Sequence, residues 1–159
     1  MNFKSPVELY NYLKNNIKYR MPESSEDPIL SPSEVMDIKK GHCHEQTFLI
    51  SKELSKMGID NKKWFIYATN KNGNYVDGNG GTHSIVEFKY NGKICVIENA
   101  FERIRGFHKF NNEDDLDTFY SSQFVAFAPR GTTNCRWKTL KGHPGMGLWD
   151  FCELNINSK

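Results

Sequence analysis

The sequence lacks paired cysteines, long apolar runs and a signal-peptide core. Its four cysteines form no Cys-x-x-Cys pair, and a chain of 159 residues does not need disulfides to fold. No segment approaches the roughly 20 apolar residues that are needed to cross a bilayer, and the first residues lack the apolar core of a secretion signal. We therefore expect a soluble, cytoplasmic protein, unless a signal has been removed.

A surplus of charge is also missing. The 21 basic and 19 acidic residues leave a net charge of +2, and the basic residues are scattered, which argues against nucleic acid or a membrane as a partner. Hydrophobic residues make up 38% of the chain and aromatic residues 13%, enough to build a compact core. The length and the absence of repeats and linkers predict a single domain over residues 1–159. The sequence is silent on the oligomeric state.

Three helices are expected in the first third of the chain. Residues 6–17 carry a helical apolar pattern, with Ser5 as the N-cap and a proline at the first helical position. A Ser-Pro-Ser-Glu segment opens a short helix over residues 31–40. A longer helix over residues 42–57 ends before Gly58, and its apolar residues predict burial on more than one side.

An antiparallel sheet is expected next. Residues 64–68 form a short apolar run that is typical of a buried strand, and a Gly-rich turn region over residues 70–81 follows. Residues 83–90 and 93–98 are two further strands, and the Asn91-Gly92 pair between them is a strong hairpin signal. Helices followed by an antiparallel sheet predict the α+β class.

The pattern is weaker after residue 101. Residues 112–120 suggest one short helix, residues 123–128 suggest a strand, and residues 129–159 carry mostly turn chemistry. Five residues of this last stretch are expected to pack against the sheet and close it, with a role in substrate binding as the alternative: Cys135, Trp137, His143, Trp149 and Cys152.

Cys43 has the sequence context of a reactive thiol. It follows Gly41 and His42 in the first turn of the predicted third helix, where free backbone N–H groups and the helix dipole favour a thiolate. A cysteine that only packs lies on an apolar face, whereas Cys43 has polar neighbours on both sides. This position predicts a nucleophile.

His83, at the start of a strand, is the predicted base. If the two-residue turn pairs Tyr90 with Lys93, His83 stands opposite Ala100 in the hairpin. Glu98 is then a diagonal neighbour on the same face as His83, whereas Asn99 points to the other face. The register therefore favours Glu98 over Asn99 as the group that orients His83.

Together these residue types predict acyl transfer. A thiolate attacks an acyl carbon, an imidazole moves the proton, and a carboxylate or amide holds the ring in the useful tautomer. The predicted catalytic residues are Cys43, His83 and Glu98, and this chemistry needs no metal or organic cofactor. Expected substrates are peptides, proteins or small amides. Hydrolysis is favoured over amine transfer because water needs no second binding site.

Three blocks in this order resemble the transglutaminase-like superfamily: the Gly-His-Cys at the head of a helix that ends in Met-Gly-Ile, the Thr-His-Ser-Ile-Val-Glu strand at residues 82–87, and the Val-Ile-Glu-Asn-Ala strand at residues 96–100. The resemblance covers residues 30–101. It implies a papain-like fold with the nucleophile at a helix start packed on an antiparallel sheet. It also implies a triad of Cys43, His83 and Glu98, with Glu where the family usually has Asp.

Two other functions fit the sequence. The chain could be a catalytically silent binding module that keeps the fold and its groove. It could also be a small metal-binding protein that uses His42 and His44 with Cys43 or Cys95, although residues two apart on a helix face different sides. Three aromatic residues are candidates for the groove or the oxyanion site by residue type alone: Tyr19, Trp64 and Tyr67.

Overall fold

The computed structural model describes residues 1–159 and contains five α-helices and five β-strands. In chain order the elements are α1 (Pro6–Asn16), α2 (Pro32–Ile38), α3 (Cys43–Lys56), β1 (Asn61–Thr69), β2 (Thr82–Tyr90), β3 (Lys93–Glu98), β4 (Gly106–Phe110), α4 (Glu113–Phe127), β5 (Asn134–Thr139) and α5 (Leu148–Ile156). A short 3₁₀ turn, Glu102–Ile104, precedes β4. None of the helices is long and apolar enough to cross a membrane.

The N-terminal helices begin where their capping residues predict. The Ser5 side chain accepts a hydrogen bond from the Glu8 backbone N–H at the start of α1. Ser31 and Glu34 form a reciprocal capping box at the start of α2, which satisfies two otherwise free N–H groups. Local side-chain chemistry therefore sets both boundaries.

The strands form one antiparallel sheet in the order β4-β3-β2-β1-β5. Asn91 and Gly92 both have positive φ, 52° and 76°, which is the backbone of a two-residue hairpin turn. Tyr90 pairs with Lys93, as the sequence predicted, so the register of β2 against β3 is confirmed.

Helices cover both faces of the sheet. On one face, Val86 and Phe88 of β2 share a core cluster with residues of α1 and α3. On the other face, Ile85 packs in a cluster with Leu116 and Tyr120 of α4. This alternation along β2 is that of a strand buried on both faces, and the arrangement confirms the α+β class.

The prediction for residues 112–128 was wrong. A short helix followed by a strand was expected, but α4 runs unbroken from Glu113 to Phe127, with an Asn112 cap. Its buried residues are Leu116, Tyr120 and Phe124, spaced four apart on one helical face. The four consecutive apolar residues 124–127 resemble a buried strand, but in α4 only Phe124 of them is buried.

The turn-rich interpretation of residues 129–159 was also incomplete. The glycines and prolines there are concentrated in the loop at residues 140–147, and β5 and α5 flank it. β5 is an edge strand that pairs only with β1, and its polar composition hides it. β4, at the opposite edge, was also not predicted. The sequence of an edge strand carries only a weak apolar pattern, and the strand is stabilised mainly by pairing with its neighbour.

Candidate active site

Cys43 is the first residue of α3 and is partly exposed. His42 caps the helix: its ring accepts a hydrogen bond from the Glu45 N–H at 3.3 Å, and the His42 N–H donates to the Glu45 carboxylate at 3.0 Å. Within α3, neither the Cys43 nor the His44 N–H has a carbonyl four residues before it in the helix to bond. Cys43 therefore sits beside free donors at the positive end of the helix dipole.

Because Gly41 has no side chain, the turn before α3 packs closely against Val35 and Gln46. A Cβ at this position would lie 3.2 Å from Val35 Cγ1 and 3.3 Å from Gln46 Cγ. The Gly41 N–H and C=O bond the backbone of residues 18 and 20, respectively, at 3.0 and 3.3 Å. The segment that carries Tyr19 is thereby held against the turn before Cys43.

A buried ion pair fastens the same segment to α3. The Arg20 guanidinium makes two hydrogen bonds to the Glu45 carboxylate, at 2.9 and 2.6 Å, and one to Asp27 at 2.6 Å. Glu45 is fully buried and also accepts the Leu30 N–H at 2.7 Å. The sequence analysis missed this network, because residues 20 and 45 are far apart in sequence and only the capping position of Glu45 carries a local signal.

His83 and Glu98 meet in the interior of the sheet. His83 Nε2 lies 2.8 Å from Glu98 Oε1, and both residues are buried. The same carboxylate accepts the Tyr120 hydroxyl at 3.1 Å and the backbone N–H groups of Ala100 and Phe101 at 3.2 and 2.9 Å. Glu98 is thus held by groups other than His83, and the contact with Nε2 leaves Nδ1 of the ring for Cys43.

Asn99 has a different environment. Its side-chain NH₂ donates to the backbone carbonyls of Leu13 and Ile17, at 3.3 and 3.0 Å, and to Gln46 Oε1 at 2.9 Å. Asn99 therefore ties the end of α1 to α3. The structure brings Glu98 and not Asn99 to His83, as the hairpin register favoured.

The electrostatics of the site favour a charged imidazole. Burial by itself lowers the pKa of His83, but the negative charge of Glu98 and hydrogen bonding to Cys43 and Glu98 outweigh it and raise that pKa to about 10. The ring is packed between Phe101, edge-on at 5.4 Å, and Tyr120, nearly parallel at 6.4 Å between centroids. Packing and charge together fix both the orientation and the protonation of His83.

The other three cysteines lie in poorer environments for reaction. Burial raises the pKa of the Cys95 and Cys135 thiols, and it raises that of Cys152 to about 12. Of these three, Cys152 has a histidine nearby, with its Sγ 4.0 Å from His44 Nε2, but burial lowers the pKa of that ring. Cys43 differs from Cys152 in that its neighbouring imidazole, His83, has a raised pKa.

Two clefts meet at Cys43, and both are lined by Tyr19, Gly80 and Thr82 as well. The His83 cleft, of about 190 Å³, is completed by His83, Ala100, Phe101, Glu102, Phe124 and Phe127. The Asp77 cleft, of about 230 Å³, is completed chiefly by Ser25, His42, Tyr75, Asp77, Trp149 and Cys152. Cys43 therefore lies where the two clefts meet.

The three aromatic candidates differ in their position relative to the two clefts. Tyr19 borders both clefts, whereas Trp64 lies away from them and donates to Glu87 at 3.0 Å, and Tyr67 is buried beneath α5. His143 and Trp149 were expected to pack against the sheet, but His143 is exposed, and Trp149 is 40% exposed and lines the Asp77 cleft. The Gly-rich turn borders both clefts through Gly80.

The imidazoles of His42 and His44 are engaged within the protein. His42 caps α3, and the two ring nitrogens of His44 lie 2.9 Å from Ser84 Oγ and 3.2 Å from Thr82 Oγ1. No cluster of three or more His, Cys, Asp or Glu side chains is arranged to hold a metal ion. These contacts disfavour the alternative of a metal-binding protein.

A cysteine at a helix start facing a histidine on an antiparallel sheet defines the papain-like architecture. The chain belongs to the transglutaminase-like superfamily, whose family description matches residues 2–97, more than half of its length. The predicted resemblance is thereby confirmed. Among curated proteins, no sequence matches the chain.

Two similar crystal structures are bacterial arylamine N-acetyltransferases. NAT3 of Bacillus cereus, described as having a unique Cys-His-Glu catalytic triad, is 13% identical, with a TM-score of 0.44 over 89% of this chain and 58% of that chain. Arylamine N-acetyltransferase C of Bacillus anthracis is 14% identical, with a TM-score of 0.46 over 98% of this chain and 70% of that chain. The present chain therefore spans less than two thirds of the first of these proteins.

Proposed function

We propose that this protein is a cysteine-dependent acyl-transfer enzyme that cleaves amide bonds through a thioester on Cys43. The observation that carries the proposal is the buried His83–Glu98 pair, 2.8 Å apart, whose histidine lines the same cleft as Cys43. A buried imidazole that can exchange a proton with a neighbouring thiol serves nucleophilic catalysis, and a groove used only for binding does not require it.

At the start of acylation, the proton of the Cys43 thiol has been transferred to His83, so that Cys43 is a thiolate. The Cys43 sulfur attacks the carbonyl carbon of the amide, and the carbonyl π electrons move to oxygen. When the tetrahedral intermediate collapses, the C–N bond breaks and His83 donates its proton to the leaving nitrogen. A free amine and a Cys43 thioester result, and Glu98 keeps the ring in the required orientation.

Deacylation reverses the proton movements. The neutral His83 takes a proton from a water molecule while the water oxygen attacks the thioester carbonyl carbon. The C–S bond then breaks, which releases a carboxylic acid and regenerates the Cys43 thiolate beside the protonated ring. We propose water as the acceptor, because it needs no binding site of its own. An amine in the His83 cleft would follow the same steps and yield a new amide.

Tyr19 is proposed to stabilise the oxyanion together with the Cys43 backbone N–H. It borders both clefts at Cys43, and the Gly41 contacts and the Arg20–Glu45 ion pair hold its segment in place. Burial, the charge of Cys43 and the charge of Glu45 raise the pKa of its hydroxyl, which therefore stays protonated as a donor.

The walls of the site come from both ends of the chain, since Tyr19 precedes α2 and Trp149 lies in α5. We accordingly propose that residues 1–159 act as one functional unit. A fragment that ends where the family match ends would lack one wall of the Asp77 cleft.

Cys43 is expected to react with iodoacetamide at pH 7 faster than the other three cysteines, since the thiolate is the nucleophile and His83 supports it. Replacing His83 with Gln should slow this alkylation about tenfold or more. The measurement is mass spectrometry of labelled peptides over time. His143→Gln, at an exposed histidine outside the site, is the matched control. Equal alkylation rates for wild type and His83→Gln would contradict the assignment of His83 as the base.

Tyr19→Phe is expected to slow acylation of Cys43 by 4-nitrophenyl acetate about 10- to 100-fold, because the intermediate loses an oxyanion donor. Alkylation by iodoacetamide forms no oxyanion and should change less than about twofold. Release of 4-nitrophenolate in the first turnover measures the former rate. Tyr10→Phe, on α1, is the control. An equal loss in both reactions would mean that Tyr19 acts on the thiol instead.

A further inference from the structure

The position of His83 assigns the two parts of the substrate to the two clefts. The acid that protonates the leaving nitrogen must lie within hydrogen-bond reach of it. His83 lines one cleft and is absent from the lining of the other. The amine part of the substrate therefore lies in the His83 cleft, and the acyl part extends from Cys43 into the Asp77 cleft.

A single charged group marks the Asp77 cleft. Asp77 is the one Asp, Glu, Lys or Arg along its lining, and it forms no ion pair with a lysine or arginine. Burial lowers the pKa of His42 to about 4 and lowers that of His44 as well, so both rings are neutral at pH 7. The cleft therefore carries one unpaired negative charge in addition to the reactive sulfur.

Aromatic rings stand beside this carboxylate. Tyr75 and Trp149 lie 6.3 Å apart between ring centroids with their planes inclined at 35°, and Trp149 is 40% exposed. A carboxylate next to exposed aromatic faces is complementary to an ammonium or guanidinium group, through charge-assisted hydrogen bonds and cation–π contact. A neutral acyl group would leave the charge of Asp77 without a partner.

The loop that carries Asp77 is held in place before any ligand arrives. The Val76 N–H donates to Ala68 O and the Ala68 N–H donates to Gly81 O, both at 2.9 Å, which ties both ends of the loop to β1. The Gly78 N–H and the Tyr75 hydroxyl donate to Asp77 Oδ1 at 2.9 and 3.3 Å. These contacts orient one carboxylate oxygen and leave Oδ2 for a ligand.

We propose that the Asp77 cleft is an acyl-group subsite that selects substrates with a cationic acyl part, such as amides of basic amino acids. This assignment rests on the proposed thioester chemistry for the direction of the substrate. Asp77 is exposed, so water screens its charge, and the discrimination is expected to be modest. We expect a preference of about fivefold, composed of the ion pair and the cation–π contact.

The first test compares two coumarin amides with matched acyl parts, Nα-acetyl-lysine and its neutral analogue Nα-acetyl-norleucine. Wild type is expected to show a ratio of kcat/KM near five in favour of lysine. In Asp77→Asn this ratio should fall to about one, and in wild type it should shrink with added salt. Asp150→Asn, on α5 next to Trp149, is the matched control and should keep the wild-type ratio. A ratio of one or below in wild type overturns the proposal and leaves the thioester mechanism standing.

A second measurement does not depend on turnover. Cys43→Ala protein is titrated with Nα-acetyl-lysine amide and Nα-acetyl-norleucine amide while the indole N–H signals of the three tryptophans are followed by NMR. Tighter binding of the lysine compound, with the shift confined to the Trp149 signal and lost in Asp77→Asn, supports the subsite even if no amide is cleaved. Equal binding, or a shift at Trp64 or Trp137, overturns it. Failure of the proposed enzyme activity is thus distinguished from failure of the subsite.

Discussion

Replacing Glu98 with Gln is expected to lower kcat/KM for amide cleavage at pH 7 about 10³-fold, somewhat less than the ~10⁴-fold loss of kcat that removing the charge of a triad carboxylate can cause. The amide keeps the volume and can still accept a hydrogen bond from His83. It removes the negative charge that now raises the pKa of His83 against the effect of burial. The ring is then neutral at pH 7, so it no longer supports the Cys43 thiolate or protonates the leaving nitrogen. Hydrolysis of a 4-nitroanilide reporter measures the loss.

The pH profile separates this effect from simple misfolding. In wild type the alkaline limb of kcat/KM should fall near pH 10, where His83 loses its proton. In Glu98→Gln that limb should move to lower pH. Glu87→Gln serves as the control, because Glu87 lies four residues from His83 on β2 and bonds Trp64 outside the site. A 10³-fold loss without a shift of the limb would contradict the assigned role of Glu98.

The free energy of unfolding should also depend on pH, because His83 titrates at a different pH in the folded and unfolded states. The pKa of His83 is about 10 in the folded protein, above the ordinary value near 6.5. The His83–Glu98 pair therefore contributes stability that is fully present below pH ~6.5 and is lost as pH rises through about 10. Urea unfolding across this range should show the decline in wild type and a weaker decline in Glu98→Gln.

The parts of the fold that the sequence predicted carry strong local signals. Ser5, Ser31 and the Asn91-Gly92 pair set helix starts and a turn through their nearest neighbours, and the turn then fixes the register of β2 and β3. That register brought Glu98 to His83 by counting alone. The geometry of the candidate site was therefore accessible before the structure, although its catalytic role stays a prediction.

The parts that were missed depend on distant partners. β5 is short and pairs only with β1, so the alternation of Cys135 and Trp137 with polar residues is too brief to stand out in the sequence. The Trp149 N–H donates to Ser25 O at 2.7 Å, a contact between distant residues that leaves no periodic trace. The α4 error has another cause, since a short apolar run such as residues 124–127 fits a strand as well as a helix, and only Phe124 of it joins the buried face of α4.

Arg20→Met is expected to destabilise the fold by about 3–5 kcal/mol, because it leaves the fully buried Glu45 carboxylate without its cation. Urea unfolding measures the change. Adding Glu45→Gln should recover a large part of the loss, since the uncompensated charge disappears with it. Lys56→Met, which breaks the more exposed Lys56–Glu53 pair, is the control and should cost less than about 1 kcal/mol. If the double variant were no more stable than Arg20→Met, burial of charge would not be the cause.

Arg20→Lys tests what the ion pair does for the site in a protein that stays folded. Lysine keeps the charge but loses the two-pronged contact with Glu45, so the expected cost is about 1–2 kcal/mol. Arg20 also bonds Asp27, whose carbonyl accepts the Leu148 N–H at the start of α5. The ion pair therefore positions Tyr19 on one side of Cys43 and the α5 wall on the other. We expect Arg20→Lys to slow acylation by 4-nitrophenyl acetate and to leave the rate of iodoacetamide alkylation unchanged. Adding Tyr19→Phe to Arg20→Lys should then slow acylation by a smaller factor than Tyr19→Phe does in wild type. Full additivity of the two changes would show that Tyr19 is positioned independently of Arg20.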